Sequence, residues 1–171
     1  FLGQIAVALL ICSSGQIAES IPVPFLGRID LGLYLGIAFT VLWIVGITNA
    51  FNIIDGLDGL AAGLAFIGAV ALGIIGWLNG STLAVILCFT LAGGLLAFLK
   101  YNFHPARIFL GDTGSLFLGF SLATISIISS HKTAGTVILL APMLALGVPL
   151  FETLVSIARR YMRGVPIFCA D

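Results

Sequence analysis

The sequence predicts an all-α, polytopic membrane protein. Of its 171 residues, 60% are hydrophobic and 8% are charged, and the mean hydropathy is +1.23. Apolar runs of about 18 or more residues, the length at which a helix can cross a bilayer, recur along the chain. This composition excludes an ordinary soluble domain. The formal net charge is zero, so no basic field is expected to recruit nucleic acid.

About five full transmembrane helices and a partial one are expected. Residues 1–12 are apolar but short, which is typical of the second half of a helix. Residues 13–30 contain Ser, Gly and Pro and an alternating apolar stretch, which predict an extended or short hairpin-like external loop. The full spans are expected over residues 31–48, 60–78, 82–99, 112–128 and 136–158. Pro142 and Pro149 predict a kinked or broken last helix.

The chain is expected to be the interior portion of a longer protein, truncated at both ends. It opens at Phe1 inside an apolar segment without the basic region of a signal peptide, and it stops at Asp171 without a terminal helix. We therefore expect residues 1–171 to form a single integral-membrane domain, to which segments outside this sequence contribute further site residues.

Alternating the spans across the membrane places three polar segments on one side. These segments are residues 49–59, residues 101–112 and the tail after Ala158. The Lys and Arg residues divide five to two between this side and the other: Lys100, Arg107, Arg159, Arg160 and Arg163 against Arg28 and Lys132. The positive-inside rule then predicts that the side with the polar segments is cytoplasmic.

The first polar segment joins two spans. Amide and carboxylate side chains repeat in it at a spacing of three, at Asn49, Asn52, Asp55 and Asp58. Asn and Asp before an apolar run are ordinary helix N-caps, and Asp58 could be only that. Four such groups in one register at the edge of a span favour a functional site. Gly56 and Gly59 weaken a continuous helix and permit close approach of a ligand.

The second polar segment places Asp112 at the mouth of a span, between Gly and hydroxyl residues. A helix start of this kind binds phosphate oxygens, and a carboxylate suits Mg²⁺. Together they are what metal-assisted phosphoryl transfer needs, although a simple capping sequence accounts for this segment equally well when it is taken alone. His104 is expected to be a surface residue. Phe109 is either a base-stacking or an interfacial aromatic residue.

Arg159, Arg160 and Arg163 form a third basic cluster. They satisfy the positive-inside rule or meet anionic lipid headgroups, or they neutralise a diphosphate. The sequence does not separate these alternatives.

Two motifs, Asn49–Ala61 and Asn102–Ser115, resemble those of the polyprenyl-phosphate N-acetylhexosamine-1-phosphate transferases. These integral membrane enzymes start bacterial cell-wall and envelope polysaccharide synthesis. The resemblance covers nearly the whole chain, including the order of spans. The tail over residues 159–171 looks like the approach to the family's His-rich loop and favours the N-acetylglucosamine-1-phosphate branch over the muramoyl-pentapeptide branch. An Asp-Asp pair and the His cluster of the family are absent, which fits truncation.

The resemblance implies a role for each matching residue. Asp112 would be the main magnesium ligand, with Asp55 beside the metal and the diphosphate, and manganese is an alternative metal. The uridine pocket would be lined by Gly56, Leu57, Asp58 and, stacking on uracil, Phe109. The sugar-phosphate region would be held by Asn49, Asn52 and Asn102, with Arg159 and Arg160 as further substrate-binding candidates.

The expected activity is transfer of an N-acetylhexosamine 1-phosphate from a UDP-sugar, UDP-N-acetylglucosamine above all, to undecaprenyl phosphate, with release of UMP. The expected setting is the bacterial inner membrane with a cytoplasmic active site, and a homodimer is an open alternative to a monomer. A cation-coupled transporter would also contain intramembrane Asp and Asn, but near the bilayer midplane rather than at span ends. A catalytically inactive scaffold is a third alternative.

Overall fold

The computed structural model describes residues 1–23 and 27–130, together with Arg159 and Met162. Five helices and one hairpin make up this part of the chain: α1 (Leu2–Ser13), β1 (Ser20–Val23), β2 (Gly27–Asp30), α2 (Gly32–Ile54), α3 (Leu60–Leu78), α4 (Thr82–Asn102) and α5 (Gly111–Ser130). By length and composition, α2 to α5 can each cross a membrane, and α1 is a shorter apolar helix. The predicted all-α polytopic fold is confirmed.

The last predicted span, over residues 136–158, lies outside the described residues, as do its two prolines, Arg160 and Arg163. The assignment of residues 1–171 to a single domain stays a prediction.

The loop between α1 and α2 contains the predicted hairpin. β1 and β2 pair antiparallel, with Ser20 opposite Asp30. The segment before β1 is fastened to α2, because the N–H of Ala18 donates to Thr40 Oγ1 at 2.9 Å. A side chain at Gly36 would have its Cβ 2.8 Å from the carbonyl oxygen of Ala18, so only glycine permits this approach. The hairpin therefore lies at the end of the helices opposite the two polar motifs.

Two helices extend further into the polar motifs than the hydropathy predicts. α2 was expected to end near Thr48 and ends at Ile54, and α4 was expected to end near Leu99 and ends at Asn102. Polar side chains are compatible with the end of a helix when they find partners, and Asn49 Nδ2 donates to the carbonyl oxygen of Val45 at 2.7 Å. Asn49 and Asn52 are thus helical residues. α3 matches its predicted bounds.

The four long helices pack as two pairs, α2 with α5 and α3 with α4. Small residues line both contacts, as is common between membrane helices. A Cβ at Gly119 of α5 would lie 2.7 Å from the Cα of Thr48 on α2, and one at Gly76 of α3 would lie 3.1 Å from the Cβ of Ala84 on α4. α1 packs on α2, and α5 also contacts α3 and α4. The end of α2, the start of α3, the end of α4 and the start of α5 meet at one end of the molecule.

Candidate active site

The end of α2 contacts the start of α5 through Asn52. One amide group reaches two residues, because Asn52 Nδ2 donates to Asp112 Oδ1 at 3.1 Å and to Ser115 Oγ at 3.0 Å. Ser115 is completely buried, and its hydroxyl in turn donates to the carbonyl oxygen of Gly111 at 3.1 Å. Asn52 and Asp112, 60 residues apart, thus bring the two sequence motifs together at a carboxylate whose orientation is fixed by an amide.

Asp55 caps the C-terminal end of α2 next to this contact. It is half-buried, and burial raises the pKa of its carboxyl group, with the negative charge of Asp112 as the second cause. Two carboxylates that repel each other across a partly buried space are a donor set that a divalent cation would stabilise. Mg²⁺ typically takes one or two carboxylates and fills its remaining positions with water and phosphate oxygens. The pair fits magnesium, and manganese shares this preference for oxygen ligands.

No larger metal-binding group was found in the described residues: none of their His, Cys, Asp and Glu side chains form a set of three or more placed to hold an ion. Asp55 and Asp112 are close enough for the charge of one to act on the other, and a cation held by them would need further ligands. Such a site would take most of its ligands from the substrate.

The loop after α2 meets the loop after α4 through Asp58. Its Oδ2 accepts a hydrogen bond from the N–H of Ala106 at 3.1 Å and lies 3.0 Å from Nδ1 of His104. The Ala106 N–H is the main cause of a lowered pKa at Asp58, and the His104 contact adds to it. Asp58 is therefore held as an ionised group at the surface. His104 is an exposed residue, as expected from the sequence.

Asn102, the last residue of α4, forms hydrogen bonds to residues of the same two loops. It is buried, and its Oδ1 accepts from the N–H of Gly59 at 3.1 Å while its Nδ2 donates to the carbonyl oxygen of Ile108 at 2.8 Å. Gly59 precedes α3 at a φ of +74°, a conformation that glycine adopts without strain. Asn102 thereby fixes the start of α3 against the 103–110 loop.

Three further predicted residues lie exposed around these loops. Gly56 and Leu57 are in the turn between α2 and α3, and Leu57 is 69% exposed. The Phe109 ring is 72% exposed on the other loop. An exposed aromatic ring beside hydrogen-bonding groups can stack on a planar heterocycle. Their substrate-binding roles stay predictions.

Asn49 contacts a different set of residues from the other predicted ones. Its side chain pairs with Gln4 of α1 rather than with Asp112 or Ser115. Arg159 is exposed, and the structure gives it no described contact with the site. Arg160 lies outside the described residues.

The sequence offers no reason to assign a role to Gln4, and it places Ser115 in the second motif without a role of its own. Gln4 was visible as the single polar residue in the apolar run of α1 before Ser13. Ser115 closes the second motif, one turn after Asp112, where its hydroxyl points to the same helix face. In both cases the sequence shows a polar residue, but its contact can be identified only once the packing of the helices is known.

The site has two halves built on different helix pairs. The carboxylate half stands on α2 and α5 and consists of Asn52, Asp55, Asp112 and Ser115. The loop half stands on α3 and α4 and consists of Asp58, Gly59, Asn102, His104 and the Ala106 N–H. The first half suits a cation and phosphate oxygens, and the second offers a fixed acceptor on one loop and an exposed aromatic ring on the other.

Comparison with known proteins identifies related sequences over the whole described region. The model of glycosyl transferase family 4 matches residues 1–130. The chain is 46% identical to the probable undecaprenyl-phosphate N-acetylglucosaminyl 1-phosphate transferase of Bacillus subtilis, a match that covers 100% of this chain and 48% of that protein. It is 45% identical to the phospho-N-acetylmuramoyl-pentapeptide-transferase of Listeria innocua over 75% of this chain and 40% of that protein. The corresponding Clostridium perfringens protein is 45% identical over 74% of this chain and 42% of its own length. The chain therefore spans about half the length, or less, of these relatives.

Proposed function

Because the chain belongs to glycosyl transferase family 4, we propose that its full-length protein transfers an N-acetylhexosamine 1-phosphate from a UDP-sugar to undecaprenyl phosphate. The observation that carries the proposal is the hydrogen bond from Asn52 to Asp112, which joins the two motifs beside Asp55 at the end of membrane-crossing helices. A site there lets the long tail of a lipid acceptor stay in the bilayer while its phosphate meets a water-soluble nucleotide.

The proposed reaction is a phosphoryl transfer. An oxygen of undecaprenyl phosphate forms a bond to the β-phosphorus of the UDP-sugar, the bond from that phosphorus to the bridging oxygen breaks, and UMP leaves with that oxygen. The product is a lipid-linked sugar pyrophosphate. Catalysis of such a step resides mostly in positioning and charge neutralisation.

The carboxylate half would hold the cation. Mg²⁺ at Asp112 and Asp55 would supply positive charge against the diphosphate. Asn52 keeps the Asp112 carboxylate in one orientation, and Ser115 keeps the Asn52 amide in place. Loss of a residue that orients a metal ligand in this way typically costs about 10- to 100-fold in metal affinity or activity.

The loop half would bind the nucleotide. Asp58 is held by Ala106 and His104 through Oδ2, so its other oxygen can accept a hydrogen bond from the base. Phe109 would stack on that base, and Gly56 and Leu57 would line the pocket. Arg159 and Arg160 stay candidates for neutralising the diphosphate.

The donor we propose is UDP-N-acetylglucosamine. The support is the extent of the matches: the Bacillus N-acetylglucosaminyl 1-phosphate transferase aligns over the whole chain, whereas the muramoyl-pentapeptide transferases align over about three quarters of it. We propose the bacterial inner membrane as the location. Comparing UDP-N-acetylglucosamine with the UDP-muramoyl-pentapeptide as donors for the same preparation would decide between the branches.

The decisive experiment is UMP release by the full-length protein, wild type against Asp112→Asn. We expect release that requires Mg²⁺ and undecaprenyl phosphate together, and a loss of about a thousandfold or more in Asp112→Asn because the cation loses its main ligand. Asp30→Asn, which alters an exposed carboxylate on the hairpin, is the matched control and should retain activity. A well-folded wild type that releases no UMP from any UDP-sugar would overturn the proposal.

A further inference from the structure

We propose that Gln4 and Asn49 form a brace, a reciprocal amide pair between α1 and α2 that positions Asn52 against Asp112. Its geometric part stands by itself, and its catalytic consequence rests on the proposed function. In this proposal Asn49 is a positioning residue that acts on the site through Asn52, rather than a group that touches substrate.

The brace and the Val45 carbonyl together use both hydrogens of the Asn49 amide group. Asn49 Nδ2 donates to Gln4 Oε1 at 2.8 Å and to the carbonyl oxygen of Val45 at 2.7 Å. In return, Gln4 Nε2 donates to Asn49 Oδ1 at 3.4 Å. Since a primary amide has two hydrogens to donate, Asn49 has none left for a ligand.

Gln4 lies among apolar residues, where its amide group needs a hydrogen-bond partner. From Leu2 to Cys12, α1 contains apolar residues and Gly3 apart from this one glutamine, and both brace residues are half-buried. An amide in an apolar helix is costly without a partner, and interhelical amide pairs hold membrane helices together. The brace therefore fixes how α1 and α2 are rotated relative to each other at the end where the site lies.

Asn49 is well placed to transmit this constraint to Asn52. The two residues are three positions apart, which places their side chains on adjacent faces one turn apart. Asn52 belongs to the last turn of α2, which ends at Ile54, and last turns fray because their carbonyl groups lack helical partners. Anchoring the preceding turn at Gln4 limits that fraying and keeps the Asn52 amide directed at Asp112.

The separation of the site into two halves gives the brace a specific signature. The brace acts on α2, which belongs to the carboxylate half, while the loop half is held by Asn102 and Asp58 on other elements. Loss of the brace should therefore lower kcat and leave the KM for the UDP-sugar nearly unchanged. Direct substrate binding by Asn49 would instead raise that KM.

The test compares Gln4→Leu, Asn49→Leu and the swapped double variant Gln4→Asn with Asn49→Gln in the full-length protein. Each single variant should lose about tenfold in kcat, with a nearly constant KM for the UDP-sugar and faster backbone hydrogen exchange over residues 49–55. The swapped pair keeps both amides and the summed side-chain length, so it should recover most of the activity and protection. Gln4→Met serves in place of Gln4→Leu if the latter does not fold.

Ser126→Ala is the matched control. It removes another hydrogen bond made to α2, the one from Trp43 Nε1 to Ser126 Oγ at 3.0 Å, away from the motif end of the helix. It should leave exchange over residues 49–55 and the activity near wild-type values.

Either of two results would overturn the brace. One is unchanged exchange over residues 49–55 in both single variants, and the other is a KM increase that accounts for the whole loss of kcat/KM. If the wild type releases no UMP, the proposed function fails, and the exchange measurement still decides the brace: faster exchange in Gln4→Leu supports it, and unchanged exchange refutes it.

Discussion

Two carboxylates three positions apart, Asp55 and Asp58, stand in opposite electrostatic environments. Asp55 is half-buried near Asp112, and both burial and that second negative charge raise its pKa. Asp58 is exposed, and the Ala106 N–H and then His104 lower its pKa. Environments that separate the pKa values of neighbouring acids commonly assign them different tasks. Under the proposed function, Asp55 would serve the cation and Asp58 would be a fixed hydrogen-bond acceptor.

The signs of these shifts predict different responses to pH. The lowered pKa of Asp58 means that its stabilising contribution is present above the ordinary aspartate range and is lost only as the pH falls through the lowered value. The raised pKa of Asp55 means the reverse: the folded protein favours the protonated form, and the ionised form carries a penalty at every pH above the raised value. At neutral pH, Asp58 supports the fold and Asp55 weakens it.

Replacing Asp55 by Asn should therefore stabilise the cation-free protein at neutral pH. We expect the Tm of Asp55→Asn in EDTA to exceed that of the wild type by about 2 °C, because the penalised charge is removed. Added Mg²⁺ should raise the Tm of the wild type and have little effect on the variant, since binding to the folded state stabilises it. Thermal unfolding of detergent-purified protein with and without Mg²⁺ measures both effects. A variant less stable than wild type in EDTA would contradict the argument, and Asp30→Asn is the control.

For single residues, the sequence predicted which side chains lie in the two motifs better than it predicted their contacts. The spacing of three and the side of the membrane were enough to bring Asp55, Asp58 and Asp112 to one end of the molecule. The pairing of Asn49 with Gln4 was not predictable, because a side-chain contact across 45 positions depends on how two helices are rotated against each other. Hydrophobic periodicity does not determine that rotation in a membrane, where lipid and helix surfaces are equally apolar.

Among the helices, the close contact between α2 and α5 determines whether the motifs can meet. Gly119 faces the backbone of α2. A Cβ at this position would lie 2.7 Å from the Cα of Thr48 and 2.9 Å from the carbonyl oxygen of Ile47. Backbone atoms cannot yield as a flexible side chain can, so any larger residue separates the helices. The Asn52 contacts with Asp112 and Ser115 lie on this same pair of helices.

Gly119→Ala should accordingly weaken both the fold and the site. We expect a destabilisation of about 1–3 kcal/mol from overpacking, together with lower UMP release, because the displaced α5 carries Asp112 away from Asn52. Unfolding in denaturant and the activity assay measure the two effects. Gly46→Ala, on α2 where a Cβ meets open space, is the control and should change neither. Equal behaviour of the two variants would show that the helix contact does not limit the site.

The helices themselves were largely predictable from hydropathy. α3 has its predicted bounds, and α5 begins one residue before its predicted start at Asp112. α2 and α4 are longer than predicted: Asn49 Nδ2 donates to the Val45 carbonyl oxygen within α2, and Asn102 ends α4 and donates to the Ile108 carbonyl oxygen in the next loop. Hydropathy predicts the apolar part of a membrane helix, whereas the residue at which the helix ends also depends on hydrogen bonds.

For the described part of the molecule as a whole, the two polar motifs lie at one end and the hairpin lies at the other. The turn joining α3 to α4 is at the hairpin end as well, since the opposite ends of these helices join the motifs. The exposed cations Lys100 and Arg107 are at the motif end. The positive-inside rule predicts that this end faces the cytoplasm.

Cysteine labelling would test this orientation. In a background without Cys12, Cys88 and Cys169, we expect Arg107→Cys to react with a membrane-impermeant maleimide in inside-out vesicles only, since it is exposed at the motif end. Ser14→Cys, exposed at the hairpin end, should react in right-side-out vesicles only. The reverse pattern would place the site outside the cell and remove the access to cytoplasmic substrates on which the proposed function depends.

The division of the site between two helix pairs also has an evolutionary consequence. If the loop half binds the nucleotide as proposed, substitutions in the 103–110 loop would alter that binding without moving the carboxylates on α2 and α5, since those are oriented by their own partners. Selectivity can then diverge among descendants while the phosphate chemistry is inherited intact. Relatives with the same carboxylates and different 103–110 loops are the outcome to be expected from such an arrangement.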